Sequence, residues 1–470
     1  MISRSRLPLP AVGALLFLVA LLPRLYVALA WSGEPVWDGH YYDFGARRIA
    51  EGFGYSDDLS VAGQLAWHPW CHYPVGYSAF LGFFYWVFGS GPRVAAVVNA
   101  SVGALLAVVT WLLARHGISP KRALAAGLLV ALHPGLIVYA ALLMSEPLAC
   151  LLTLAAFYLA VRDRRPARGI VLGALTLGLA ALVRPQALLC APFLGMIGAK
   201  SARQFFTGAI LATALALLPV LPWTARNCRR MDGCALVSTN AGWNLAIGAF
   251  PRATGRFETL HSSDGCREVT GQVQQDRCWL AYGVREIEAH PAHWLRLIPA
   301  KLSYTFDHES FPIEYLREAR PGMWPEPRRV AAREVLTFFH RMIVAASVCG
   351  CLAFGLRGRK KNTLSQGILA AVAALLVYVA WASGTPTFWP LVLFVSIVPW
   401  LPLPGRPPWN PALLLPISLL ATTVVTHAVF FGEDRYHVVT SPVLCLLVAA
   451  ALRGPQKRSA AHASEDGYAA

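Results

Sequence analysis

Charge is scarce in this 470-residue chain: Asp, Glu, Lys and Arg make up 14% of it, and hydrophobic residues 56%. That imbalance excludes a soluble protein, whose water-facing surface needs many more ionisable groups. No Walker-type phosphate loop occurs and no GxGxxG stands between a strand and a helix, so neither ATP nor a dinucleotide is implied. No histidine falls at metal-ligand spacing with the cysteines, which removes structural zinc built on them. Repeats at solenoid periods are missing, as are low-complexity tracts before the small-residue tail that follows Gly454. Acid is the scarcer sign, 25 residues against 41 Lys and Arg, a formal charge of +16. In a soluble chain that excess raises the question of nucleic acid. Here the basic residues bunch in short connections, at Lys121-Arg122, Arg162 to Arg168, Lys200 to Arg203, Arg357 to Lys361 and Lys457-Arg458, as cytoplasmic loops of membrane proteins do. The partner implied is the bilayer, and nucleic acid is not one.

What is present is a series of apolar runs. Lipid cannot satisfy a bare backbone group, so such runs form helices of roughly 20 residues, and the expected fold is an all-α polytopic bundle. The run behind Arg4 and Arg6 has no small-residue cleavage site before Trp31 and reads as a retained first helix, residues 1–30. Further spans are expected near 93–114, 123–143, 147–161, 169–184, 187–199 and 205–224, within a block 93–224. A second block, 336–453, holds five more near 336–356, 364–384, 386–404, 411–431 and 437–453, for about twelve in all. An even count places both termini, including the tail 454–470, in the cytoplasm. Two long polar stretches, 31–92 and 225–335, then fall outside. In the first, the apolar segment from Tyr73 is cut by glycines and lacks basic flanks, which predicts an interfacial or re-entrant helix. In the second, an oxidising compartment makes Cys228 with Cys234, and Cys266 with Cys278, the local disulfide pairs.

The informative residues are polar ones at the outer helix ends. Arg24, Arg184, Arg226 and Arg435 all oppose the positive-inside bias. One such arginine alone reads as a side chain reaching for lipid headgroups; four together point to a lipid-linked phosphate, which a planar guanidinium grips in bidentate fashion. Among carboxylates, Asp38 opens the stretch "DGHYYDFGARRIAEGFGY", where Tyr42 and Gly45 share its helical face. Glu146, in "LLMSEPLA", reads equally as a functional carboxylate and as a first-turn acid complementing a helix dipole. His40, Tyr41, Tyr42 and Asp43 beside Asp38, and His68 and His72 in "WHPWCHYPVGY", are candidate substrate contacts. Asp38, His40 and Asp43 also form a thin candidate set for a divalent cation. Asn240, Trp243 and Asn244, in "VSTNAGWNLAIGAF", combine amides with an aromatic ring, a mix that can read a sugar.

In their order, "WDGHYYDFGARRIAEGFGY", "HYPVGYSAFLGFFYWVFG", "HPGLIVYAALLMSEPLACLLTLAAFYLAVR", "ALVRPQALL", "PWTARN" and "EDRYHVVTSPVL" make the chain similar to GT-C glycosyltransferases. The resemblance is to the bacterial branch of glycosyltransferase family 39, with its protein mannosyltransferases and aminoarabinose transferases. It implies a GT-C-type bundle with two large outer loops. The implied activity is transfer of a sugar from a polyprenyl-phosphate donor to a cell-envelope acceptor (protein, glycolipid or polysaccharide) at the outer face of a bacterial inner membrane. By position, Asp38 matches the family's base, Glu146 its acid after a serine, and Arg435 with Tyr436 its late Arg-Tyr element near the lipid phosphate. The family's Asp-Glu is here Asp38-Gly39, so the second carboxylate is missing from its usual place. A single base implies inversion at the anomeric carbon. Two other classes remain open: a flippase for a lipid-linked sugar, and a polymerase or ligase using lipid-diphosphate donors.

Overall fold

The computed structural model describes residues 8–61, 64–355, 363–382, 384–401 and 410–452. The basic clusters at 357–361 and 457–458 and the tail 454–470 lie outside these. In chain order the elements are α1 (Leu9–Trp31), α2 (Asp38–Ala50), β1 (Ser56–Val61), β2 (Gln64–Pro69), α3 (Val75–Phe88), α4 (Pro92–Ala114), α5 (Pro120–Ala131), α6 (Pro134–Val138), α7 (Glu146–Arg162) and α8 (Pro166–Val183). A 3-10 segment, Pro185–Met196, then leads to α9 (Ala202–Leu217), α10 (Leu221–Arg230), α11 (Ala241–Ile247), α12 (Gln272–Ala289), α13 (Pro291–Phe306) and α14 (Phe311–Ala319). After α15 (Glu326–Gly355), α16 (Thr363–Ala382), α17 (Trp389–Ile397) and α18 (Pro411–Val429), a second 3-10 segment, Asp434–Thr440, runs into α19 (Ser441–Ala451).

Many of these helices open on proline, whose fixed φ suits the first turn and whose missing N–H is no loss there; α4, α5, α6, α8, α13 and α18 all do so. Elsewhere proline has the opposite effect. The interval expected to span near 123–143 is broken at His133-Pro134, where α5 and the helical segment after it bend by 53°. That near 205–224 bends by 49° between α9 and α10. The interval 187–199 is a 3-10 segment with Pro192 inside it. Among the described residues, five helices are long and apolar enough to cross a membrane (Leu9–Trp31, Pro92–Ala114, Pro166–Val183, Glu326–Leu352 and Pro411–Val429), or up to seven if each bent pair is one span. Shorter apolar helices, Val75–Phe88, Pro185–Met196, Gly367–Ala382 and Trp389–Trp400, accompany them; apolar composition sets where a chain can be buried, whereas proline sets whether its helix continues. The protein is a multi-pass membrane protein built as a helical bundle.

The bundle is knitted by α7 on α8, α1 on α4, α4 on α5 and α7, and α15 on α19. Its interior is lined by small residues, such as Ala104, Ala107, Ala126, Ala174 and Ala212, that let helices approach closely. Residues 31–92 fold as α2, the antiparallel hairpin β1–β2 and the short apolar helix α3 packed on α2 and α8. Between α10 and α15 the chain forms α11 to α14, with disulfides Cys228–Cys234 and Cys266–Cys278. Helix α7 runs from Glu146 at one end to the basic cluster at Arg162 at the other, about 25 Å away.

Candidate active site

Asp38 is the first residue of α2, so its carboxylate lies where the helix dipole favours negative charge. The turn before it is held by Trp37, whose backbone adopts a φ of 50°, costly for a residue with a side chain. Its ring packs against Phe311 at 5.4 Å and Tyr315 at 5.8 Å, contacts that offset the strain. The Asp38 carboxylate accepts from the Tyr73 hydroxyl at 2.8 Å and pairs with the Arg435 guanidinium at 2.5 Å. Burial works against its ionisation, but the charge of Arg435 and the bonds from Tyr73 and Arg435 outweigh burial and hold the carboxyl below its ordinary range. Gly39 follows because nothing larger fits: a Cβ there would run into the Tyr315 hydroxyl and the Leu143 carbonyl. A second carboxylate at position 39 would have to displace the Tyr315 hydroxyl.

Arg435 lies in the 3-10 segment after α18. It also pairs with Glu433 through Nε at 2.5 Å and donates to the Tyr436 hydroxyl at 3.0 Å, so it bridges Asp38 and Glu433. Burial raises the Glu433 carboxyl to about 7 despite this guanidinium. Arg184, at the C-terminal cap of α8, pairs with Glu146 at 2.7 Å and donates to the Ser145 hydroxyl at 3.3 Å. Its guanidinium also sits 5.3 Å from the Tyr436 ring. Ser145 in turn contacts the Tyr42 hydroxyl at 3.2 Å. Glu146 is fully buried, and an unpaired charge there is expensive, so Arg184 neutralises it while keeping part of its fork exposed.

Asp38, Tyr42, Tyr73, Ser145, Arg184, Arg435 and Tyr436 line one cleft of about 480 Å³, while Glu146 and Glu433 stand behind its arginines. His72, Asn240, Trp243 and Asn244 line it as well. The first turn of α11 is fixed by Asp276, which accepts from the backbone N–H groups of Gly242 at 2.8 Å and Trp243 at 3.2 Å. His72 stands between Tyr73 and Trp243, and burial lowers its pKa against the opposing charge of Asp38.

Other candidates lie elsewhere. Arg24 is buried in the bundle, donating to the carbonyls of Ala20, Val130 and Ala131, where it caps the broken end of α5. Arg226 donates to the carbonyls of Tyr55 and Trp70, tying α10 to the residues that flank the β hairpin. Both guanidiniums are occupied by backbone. Asp43 points away from the cleft, bonded to Arg47 at 2.6 Å and Tyr85 at 2.5 Å beside a separate small cavity of about 40 Å³. His40 is exposed at the edge of Tyr41, which is itself 45% exposed and stacked on Tyr73 at 5.4 Å. His68 lies in β2 opposite Asp57. Asp38, His40 and Asp43 therefore do not converge on a cation. Sequence reasoning passed over Tyr73, Ser145 and Glu433, although all three stand within the quoted segments; contact with the Asp38–Arg435 pair distinguishes Tyr73 and Glu433, and contact with Arg184 distinguishes Ser145.

No protein-family model matches the chain, and no curated protein does. Among solved structures, it is similar to the oligosaccharyltransferase of Archaeoglobus fulgidus tethered with an acceptor peptide, at 14% identity and TM-score 0.43, covering 93% of this chain and 49% of that one. The same archaeal enzyme, AglB, in complex with an inhibitory peptide and a dolichol-phosphate, gives 14% identity and TM-score 0.41 over 93% of this chain and 50% of that one. The chain thus spans about half the length of those relatives. ArnT from Cupriavidus metallidurans, bound to undecaprenyl phosphate, is also similar, at 16% identity and TM-score 0.36, covering 93% of this chain and 76% of that one.

Proposed function

We propose that the protein is a membrane glycosyltransferase of the GT-C kind that moves a sugar from a polyprenyl-phosphate donor to an acceptor hydroxyl, with Asp38 as base. The observation that carries this reading is the meeting of Asp38 with Arg435, 397 residues apart in sequence, at the edge of a cleft that also presents Arg184 and Tyr436. A base and phosphate-gripping cations in one cleft are what the reaction needs. The acceptor oxygen forms a bond to the anomeric carbon, its proton passes to Asp38, and the bond from that carbon to the phosphate oxygen breaks with both electrons leaving on the polyprenyl phosphate. Charge grows on the leaving phosphate, and fixed guanidiniums stabilise it more in the transition state than before. Arg435 and Arg184 supply this, with the Tyr436 hydroxyl beside them.

The ion pair between Asp38 and Arg435 gives the site an order of events. With no phosphate bound, Arg435 damps the basicity of Asp38. An arriving phosphate competes for the guanidinium, and Asp38, released in part, becomes the stronger base as the donor settles. Direct displacement by one base inverts the anomeric centre; no second carboxylate lines the cleft near Asp38 to act as nucleophile among the described residues. The basic cluster at Arg162, at the far end of α7 from the site, supports an outer-face location by the positive-inside rule.

The test is transfer from labelled polyprenyl-phosphate sugars to a cell-envelope extract, run beside lipid-diphosphate donors. Turnover with monophosphate donors alone supports the reading. Turnover with diphosphate donors alone would instead make the protein a polymerase or ligase, and donor movement across liposomes without transfer a flippase.

A further inference from the structure

We propose that Glu309, His340 and His437 form a structural site for a divalent transition ion of the zinc class, distinct from the cleft. The three side chains are 1%, 1% and 0% exposed. One nitrogen from each imidazole and a carboxylate oxygen lie within 4.8 Å of one another, the one such group of three among the described residues.

Hydrogen bonding prepares both rings to be ligands. His340 donates Nε2–H to the Phe306 carbonyl and His437 donates Nδ1–H to the Thr305 carbonyl, each at 2.8 Å. A carbonyl can only accept, so in the neutral form of each ring these bonds fix the tautomer and leave the lone pair on the opposite nitrogen. A ring anchored through its second nitrogen is the usual arrangement around a bound metal. The Nε2 of His437 and Oε2 of Glu309 are buried without hydrogen-bond partners, 3.9 Å apart, too far for a bond to each other. Facing across a dry gap, a His437 lone pair and the carboxylate need something positive between them, a ring proton or a metal ion; 3.9 Å is too long for a proton to bridge and leaves room for an ion.

Two neutral imidazoles and one carboxylate are a zinc-like donor set, softer than calcium or magnesium prefer. His133 does not add a fourth protein ligand: its Nδ1 accepts from the Leu136 N–H at 3.3 Å, which places its proton on Nε2. Gly135 makes room for the acid, since a Cβ there would collide with the Glu309 carboxylate.

The ligands come from three places: the turn between α13 and α14, helix α15, and the 3-10 segment that carries Arg435 and Tyr436. Asp434 already ties that segment to the same turn by accepting from the N–H groups of Ser310 and, at 2.7 Å, Phe311. An ion would lock the base of Arg435 to the bundle. It positions the arginine and does not touch substrate.

The experiment uses full-length protein in detergent, stripped with chelator, dialysed against zinc, and analysed for metal per polypeptide, with a parallel cobalt(II) titration followed by visible absorption. The expected result is close to one zinc per chain and a cobalt spectrum of nitrogen and oxygen ligation. Folded Glu309→Gln and His340→Asn should each bind at least about 10-fold more weakly. Uptake by the wild type below about a tenth of an equivalent overturns the proposal. So does a cobalt spectrum with thiolate charge-transfer bands, which moves the ion to cysteine, or unchanged affinity in the folded variants. If the variants do not fold, uptake and spectrum of the wild type decide the matter alone.

Discussion

Helix α2 carries two aspartates five residues apart, and each has the same partners in kind: a phenol and a guanidinium. Asp38 has Tyr73 and Arg435; Asp43 has Tyr85 and Arg47. Their surroundings differ. Arg47 lies one turn along the same helix, so the Asp43 pair forms as soon as α2 does and faces a small cavity near α4. Arg435 comes from the other end of the chain, so the Asp38 pair exists only once the whole bundle is assembled, and it opens on the large cleft. A local pair stabilises its element. A long-range pair at the edge of a cleft can exchange its partner for a ligand, and that difference separates a structural aspartate from a candidate base.

The largest effect expected is on this contrast itself. Asp38→Asn should lower sugar transfer by at least about 100-fold while the protein still folds, whereas Asp43→Asn should keep activity within about 3-fold and lower stability by about 1–3 kcal/mol. Transfer rates and thermal melts of the two variants, side by side, check this; equal losses of activity would erase the distinction. Next comes the guanidinium. Arg435→Lys, which keeps charge but loses the fork, should raise donor KM by about 10-fold or more, and Arg47→Lys should leave it unchanged. A third, smaller effect concerns the phenols: Tyr73→Phe removes one bond from the base and should cost about 3–10-fold in kcat, against no change for Tyr85→Phe.

The smallest is a pH effect with no counterpart at Asp43. Glu433, ordinarily near 4.5, is raised to about 7, so the folded protein holds this proton more tightly than the unfolded chain does. Its contribution to stability is therefore complete below about 4.5 and is lost as pH rises through about 7. In the site the same titration matters for Arg435: above about 7 an ionised Glu433 competes with the donor phosphate for the guanidinium. Donor KM should rise several-fold between about pH 6 and 8 and stay flat in Glu433→Gln. A wild-type profile as flat as the variant's would remove Glu433 from the account.

Much of this was legible in the sequence. Helical, membrane-spanning character followed from composition alone, and Asp38, Arg184 and Arg435 stood out because charge at a helix mouth demands a reason. Arg24 and Arg226 stood out equally and lie elsewhere. Their partners are backbone carbonyls, and which carbonyls a fold leaves unpaired depends on where helices break, as α5 does at Pro134. The buried group of Glu309, His340 and His437 was out of reach for a related reason. Its members are spread over more than a hundred positions with no motif spacing, and only α15 packing beside α19 and the segment before it brings them together. Gly39 runs the other way: the sequence offered an absent carboxylate, and Tyr315 supplies the steric reason for it.

The position of Arg24 also bears on how the molecule is made. Its partners, the carbonyls at the end of α5, are synthesised more than a hundred residues after it. Until then α1 enters the bilayer with a cation bonded only to its own Ala20 carbonyl, at a cost of up to about 2.5–3.5 kcal/mol, set against leucines at 15, 18, 22 and 29 that face outward. The apolar residues of α1 carry its insertion, and the later arrival of α5 supplies the carbonyls of Val130 and Ala131 that complete the bonding of Arg24.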